Sequence, residues 1–151
     1  ALSGISQEKC LMKWVLPVLL INVLEHIYKY ENVISESNRV LKSNGNIYLA
    51  VPFIHQIHGS PNDYFRYSKS ALEKMLSENN FSDINIEELG FGLFSLFFQS
   101  FLIGFIPFNF LKNTFKNIMI FLDKIILKYS SRYRKWAINN PMGYWVSASK
   151  K

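Results

Sequence analysis

The three histidines of this chain, His26, His55 and His58, all fall in its first 58 residues. Imidazole titrates near neutrality, which suits it to general acid–base work. His55 and His58 open a loop, 55–67, rich in Pro, Gly and aromatics, which also holds Asp63, Tyr64, Arg66 and Tyr67. Both histidines are candidate bases; for His58 the alternative is a hydrogen bond that shapes the loop. Asp63 is a second candidate catalytic residue, with the alternative that it pairs with Arg66 and braces the loop. His55, Tyr64, Arg66 and Tyr67 are candidates to line a substrate pocket. A second polar group, Asn22, Glu25 and His26, ends an apolar run, and its plain reading is hydrogen bonding within a corner. His55 and His58 have ligand-like spacing, but no cysteine or acidic cluster completes a set around them, so no metal is expected. No Asp-x-Asp occurs, which argues against a glycosyltransferase.

These residues need a scaffold. Residues 18–23 form a short continuous apolar run after Pro17, consistent with a buried strand. Residues 31–42 are helical in period, with Val33, Ile34, Val40 and Leu41 on one face and Asn44-Gly45 as the stop. Residues 47–54 are apolar on both faces, as in the middle of a parallel sheet. Strand, helix and strand make a βαβ unit. Ser68 or Ser70 then caps a helix, Ser70 forming a capping box with Glu73. Its expected buried face is Ala71, Leu72, Met75 and Leu76. Residues 84–88 alternate as a half-exposed strand, and 144–148 form a last short strand.

Between those two strands the composition changes. Residues 89–111 hold no charge, and eight of the thirteen phenylalanines lie within 91–110. A span of this length approaches a bilayer crossing, but Gly104 and Pro107 break it. A helical stripe follows: Leu111, Phe115, Ile118, Met119, Leu122, Ile125, Ile126 and Tyr129. Lys112, Lys116, Lys124 and Lys128 lie on its flank, and Arg132, Arg134 and Lys135 come next. An apolar stripe with a basic flank and interfacial aromatics suits a helix lying on an anionic membrane surface through 91–136. The alternative is a cap over the sheet.

Composition narrows the classes. The chain has 151 residues, 49% hydrophobic and 19% charged, with a formal net charge of +6. That is enough for one folded domain and argues against disorder. Most of the basic excess follows Leu111, beside the apolar stretch, which favours a membrane surface over nucleic acid. Cys10 is the only cysteine, so no internal disulfide forms and the cytoplasm is the expected compartment, at the inner face of a membrane if the basic segment docks. The expected organisation is a leader or remnant at 1–16, one α/β domain at 17–90 with 141–151, and a helical insertion at 91–140.

The corner Asn22-Val23-Leu24-Glu25-His26-Ile27 followed by Asn38-Arg39-Val40-Leu41-Lys42-Ser43-Asn44-Gly45 resembles the fourth-strand corner and helix exit of class I S-adenosylmethionine-dependent methyltransferases. Val51-Pro52-Phe53, His58, Pro61 and Asp63-Tyr64-Phe65-Arg66-Tyr67-Ser68 resemble a loop of a type 11-like subgroup found near surface-polysaccharide and lipid-linked glycan genes. The ending Gly143-Tyr144-Trp145-Val146-Ser147-Ala148-Ser149-Lys150 is similar to that subgroup's last strand. The likeness covers 17–151. It implies a partial Rossmann-like sheet, its last four strands, with an inserted apolar helical segment. It also implies S-adenosylmethionine as cofactor, Asn22, Glu25 and His26 at the edge of its pocket, and a glycan or lipid-linked acceptor. In such enzymes the cofactor carries the chemistry, and the protein aligns and desolvates. The family's Gly-rich turn and ribose-binding acid have no counterpart here, so a C-terminal half with poor cofactor binding is expected, the front half lying elsewhere. The rival expectation is a non-catalytic module that binds a membrane or partner.

Overall fold

The computed structural model describes residues 15–59, 62–90 and 92–151. The leader expected at 1–16 lies almost entirely outside the described residues. The chain forms a four-stranded sheet of order β1-β2-β4-β3, built from β1 (Val15–Ile21), β2 (Leu41–Pro52), β3 (Phe81–Leu89) and β4 (Gly143–Lys150). β1 pairs parallel to β2, while β4 runs antiparallel to both β2 and β3. Parallel neighbours need a crossover, and α1 (Tyr30–Val40) supplies it.

One face of the sheet carries the core. Ile47, Leu49 and Val51 alternate along β2 beside Tyr144, Val146 and Ala148 of β4, all buried. Ile34 of α1 and Leu72, Met75 and Leu76 of α2 (Lys69–Glu78) pack onto them. The opposite face is thinly covered. There Tyr48 stacks on Trp145, and Leu19 and Ile21 of β1 are 55% and 48% exposed.

Local details differ from the sequence expectation at identifiable points. β1 ends at Ile21 rather than 23, because Asn22 turns the chain at φ 51°. α1 stops at Val40, where Leu41 turns extended and enters β2. The left-handed Asn44 expected to cap that helix (φ 61°) instead sits within β2, where register slips between Val15/Leu41 and Pro17/Asn46. Pro17 has no N–H to give a ladder, and it lies at this irregularity on the edge strand. Ser68, not Ser70, caps α2 by accepting from the Ala71 N–H at 3.3 Å. Ala71 itself is exposed, so the buried face of α2 is the other three residues.

The insertion folds as three helical pieces: α3 (Leu93–Phe97) with a π-helical turn at Phe98–Leu102, α4 (Asn109–Tyr129) and α5 (Ser131–Asn139). Among the described residues no helix is long and apolar enough to cross a membrane. The stripe on α4 is largely uncovered: Leu111, Phe115, Ile118, Ile125 and Tyr129 are all exposed, as are Phe105, Phe108 and Phe110 ahead of it. Only Met119, Leu122 and Ile126 are half-buried. A buried acid, Asp123, ties the pieces together. It accepts from the N–H groups of Phe94 (3.1 Å) and Ser95 (2.7 Å), from the Ser95 hydroxyl and from the Tyr133 hydroxyl. Two free N–H groups of the first turn of α3 are thereby satisfied.

Candidate functional site

The parallel strands β1 and β2 end on one rim of the sheet, as does β3, and β4 begins there. Open α/β sheets place ligands at such carboxyl ends. A cleft of about 170 Å³ opens at this rim, lined by Asn22, Ala50, Val51, Pro52, His55, His58, Leu89, Met142 and Gly143. The fold thus brings Asn22 of the corner and both loop histidines to one opening. Asn22 is held there by its N–H, which donates to the Ala50 carbonyl at 2.9 Å.

The loop folds back over the corner. The Tyr64 N–H donates to the Glu25 carbonyl at 2.7 Å, and His26 Nδ1 donates to the Asn62 carbonyl at 2.5 Å. The His26 and His58 rings meet edge to face with centroids 5.2 Å apart. Glu25 lies beneath them, fully buried. Its Oε1 is 3.7 Å from His26 Nε2 and 3.9 Å from His58 Nε2. The residues that converge with His58 are therefore Glu25 and His26, brought from a distant part of the sequence. His55 lies on the other side, its ring centroid 4.8 Å from that of His58.

Asp63 and Arg66 form the expected pair. Arg66 donates to both Asp63 oxygens, at 2.6 Å to Oδ2 and at shorter range to Oδ1. These bonds hold the Asp63 carboxyl well below the ordinary carboxylate range; burial opposes them, and a 3.0 Å bond from the His58 N–H adds to them. A carboxylate so held is a poor proton acceptor. Its place is to fix the loop and to stand 3.5 Å from His58 Nδ1. Arg66, Tyr64 and His55 line a wider, open cleft of about 580 Å³ with Phe53 and Ile57. Tyr67 does not line it. That ring is buried in the core, and its hydroxyl donates to the Leu24 carbonyl at 3.2 Å. Burial pushes its ionisation far up, so it stays a neutral brace.

A nucleoside sulfonium needs more than this rim. Small-molecule sites typically enclose roughly 300–1,000 Å³. Among the described residues no Gly-rich turn or acid-tipped strand adjoins β1 on its open side, and the residues present do not fit the whole cofactor.

No protein-family model and no curated protein sequence matches the chain. Solved structures do. A SAM-dependent methyltransferase from Archaeoglobus fulgidus superposes with a TM-score of 0.55 at 16% identity, over 93% of this chain and 61% of that one. Phosphoethanolamine N-methyltransferase 2 from Haemonchus contortus, solved with S-adenosyl-L-methionine, superposes with a TM-score of 0.52 at 18% identity, over 91% of this chain and 34% of that one. The chain thus spans between a third and three-fifths of the length of these neighbours. At such identities the likeness is one of architecture, and it agrees with the strand order and the antiparallel β4: the chain carries a partial Rossmann-like fold of the class I S-adenosylmethionine-dependent methyltransferases.

Proposed function

We propose that this chain is the C-terminal part of a class I methyltransferase, supplying one rim of the cofactor crevice and the loop that meets the methyl acceptor. The reading rests on one observation above others: Asn22, His55 and His58 share a single cleft at the carboxyl ends of β1 and β2. On this reading Asn22 touches the cofactor, and His26 and Glu25 shape the corner behind it. His58 is the acid–base candidate, Asp63 and Arg66 position it, and Tyr64 with His55 faces the acceptor. The acceptor is a glycan or lipid-linked intermediate. The chain alone binds S-adenosylmethionine weakly, because the glycine turn and the ribose-binding acid belong to a front half that would lie against the open side of β1.

Calorimetry tests this directly. The isolated chain is expected to give no heat with S-adenosylmethionine in the micromolar range, and micromolar binding would refute the truncation. Reading the DNA upstream of Ala1 tests the other side. An in-frame strand–Gly-rich turn–helix segment is expected; an upstream segment of unrelated pattern counts against the proposal.

The insertion has its own reading. The exposed phenylalanines from Phe97 to Phe121 and the stripe on α4 stand beside Lys112, Lys116 and Lys128 and the basic α5. An anionic lipid surface matches both the apolar and the charged component. Docking there would hold a lipid-linked acceptor near the loop.

A further inference from the structure

Two carboxylates are fully buried among the described residues, and they are treated in opposite ways. Asp123 receives four donors. Glu25 receives none, on either oxygen. A carboxylate withdrawn from water without a donor or a cation is costly, by several kcal/mol on the order of a buried unpaired ion.

What faces Glu25 is a pair of imidazoles whose tautomers are set from outside. His26 Nδ1 lies 2.5 Å from the Asn62 carbonyl oxygen. His58 Nδ1 lies 3.1 Å from the Gln56 carbonyl oxygen and 3.5 Å from the Asp63 carboxylate. Carbonyl and carboxylate oxygens only accept, so each Nδ1 carries the hydrogen. In the neutral ring each Nε2 then carries a lone pair, and both nitrogens lie within 4 Å of Glu25 Oε1. Three electron-rich atoms this close repel unless a proton on one imidazole or a metal cation lies among them. The candidate ligand atoms all lie within 4.8 Å of one another.

We propose that Glu25, His26 and His58 bind a divalent transition-metal ion of the zinc class. Two neutral imidazoles and one carboxylate are a borderline donor set that suits Zn²⁺, Co²⁺ or Fe²⁺ better than Ca²⁺ or Mg²⁺. Donors about 2.1 Å from a tetrahedral ion stand about 3.4 Å apart; the two Glu25 contacts, 3.7 and 3.9 Å, need a contraction of a few tenths of an ångström, and the pair of imidazole nitrogens, within 4.8 Å of each other, closes further by a side-chain rotation of His58 on its half-exposed loop. The outer partners are those that metal-bound histidines use: a backbone carbonyl behind His26, and a carboxylate clamped by Arg66 behind His58. Three protein ligands leave a position for water or for an oxygen of a bound molecule, and His58 also lines the rim cleft. Ion and cofactor are titrated separately, so this site stands without the methyltransferase reading, but it replaces the acid–base role given there to His58: with its hydrogen on Nδ1 and Nε2 on the ion, that imidazole is a ligand and not a free base.

The test uses the full chain, stripped with a chelator and titrated with Zn²⁺ alone by calorimetry and with Co²⁺ alone by visible absorption. One ion per chain at micromolar affinity or tighter is expected, with the intense visible bands of tetrahedral Co²⁺. Glu25→Gln keeps the volume of the buried side chain and should weaken binding at least about 100-fold, while Asp63→Asn, one step removed, should cost about 10-fold. His58→Ala, on a half-exposed loop, gives the same loss in a chain whose folding is checked by circular dichroism. No uptake of either ion at millimolar concentration would mean that Glu25 is served by an internal ion pair, and would overturn the proposal. So would a Glu25→Gln chain that binds Zn²⁺ as tightly as the parent.

Discussion

The Tyr133 hydroxyl donates to Asp123 Oδ1 and at the same time accepts from the Leu93 N–H at 2.7 Å, so that one phenol links the start of α3, the middle of α4 and α5. The helical insertion is organised about this polar knot, since Phe98 alone among its described apolar side chains is fully buried. Removing the acid should therefore cost more than removing any one of its exposed phenylalanines. Asp123→Ala leaves two N–H groups and two hydroxyls without their acceptor, and a loss of about 3 kcal/mol is expected. Tyr133→Phe removes one bond and should cost about 1 kcal/mol. Denaturant unfolding followed by tryptophan fluorescence, with Trp136 stacked on Tyr133, reads both.

The same phenol sets a pH limit. Its ionisation is pushed up to about 12, first because burial disfavours the phenolate and then because it donates to Asp123. The unfolded value is about 10. A raised value in the fold means that its contribution to stability is complete below pH ~10 and is lost as pH rises toward about 12. Alkaline unfolding in that window should be shallower for Tyr133→Phe than for the parent. A 295 nm absorbance titration should show one late-ionising tyrosine fewer in the variant.

Gly92 stands at φ 140°, and a Cβ there would lie 2.7 Å from the Tyr133 hydroxyl and 2.8 Å from Asp123 Oδ1. Gly92→Ala combines backbone strain with a wedge in the knot, and a loss of about 2–3 kcal/mol is expected. Gly104→Ala, where nothing stands within 4 Å, should be near neutral in the same melts.

In the loop, the Asp63 side chain is 2% exposed and Arg66 is its principal partner. Arg66→Ala strands the carboxylate and should cost about 3 kcal/mol, more than a surface ion pair such as Arg39–Glu36, for which ~0.5 kcal/mol or less is expected. Proteolysis of the 55–67 loop should speed up in the variant.

If the insertion docks to lipid, co-sedimentation with anionic vesicles should fall several-fold between low and high salt. Replacing Phe101, Phe105 and Phe108 with Ser should abolish it with little change in melting, since all three are well exposed. Retention in neutral vesicles alone would count against a basic contribution.

The strands and the first two helices were readable because their apolar patterns are clean: residues 47–54 form a short apolar run, and Leu72, Met75 and Leu76 recur at helical spacing. Their ends were less readable, because Asn22 and Asn44 take left-handed conformations for reasons of turn and register rather than helix capping. The Asp63–Arg66 pair follows from a three-residue spacing. The Glu25–His26–His58 convergence does not, since it arises only when the loop hydrogen-bonds back to the corner through Tyr64 and Asn62. Asp123 was invisible for a similar reason. A lone acid in a basic, apolar helix gives no sign that Leu93, Phe94 and Tyr133 will come to it.

β1 has a ladder neighbour on one side only among the described residues, and the apolar side chains Leu19 and Ile21 beside that rim are wet. An unsheltered strand with a greasy flank is a template for β-pairing between molecules. Concentrated solutions of the isolated polypeptide should therefore drift into oligomers and then aggregates, and Leu19→Lys should keep them monomeric.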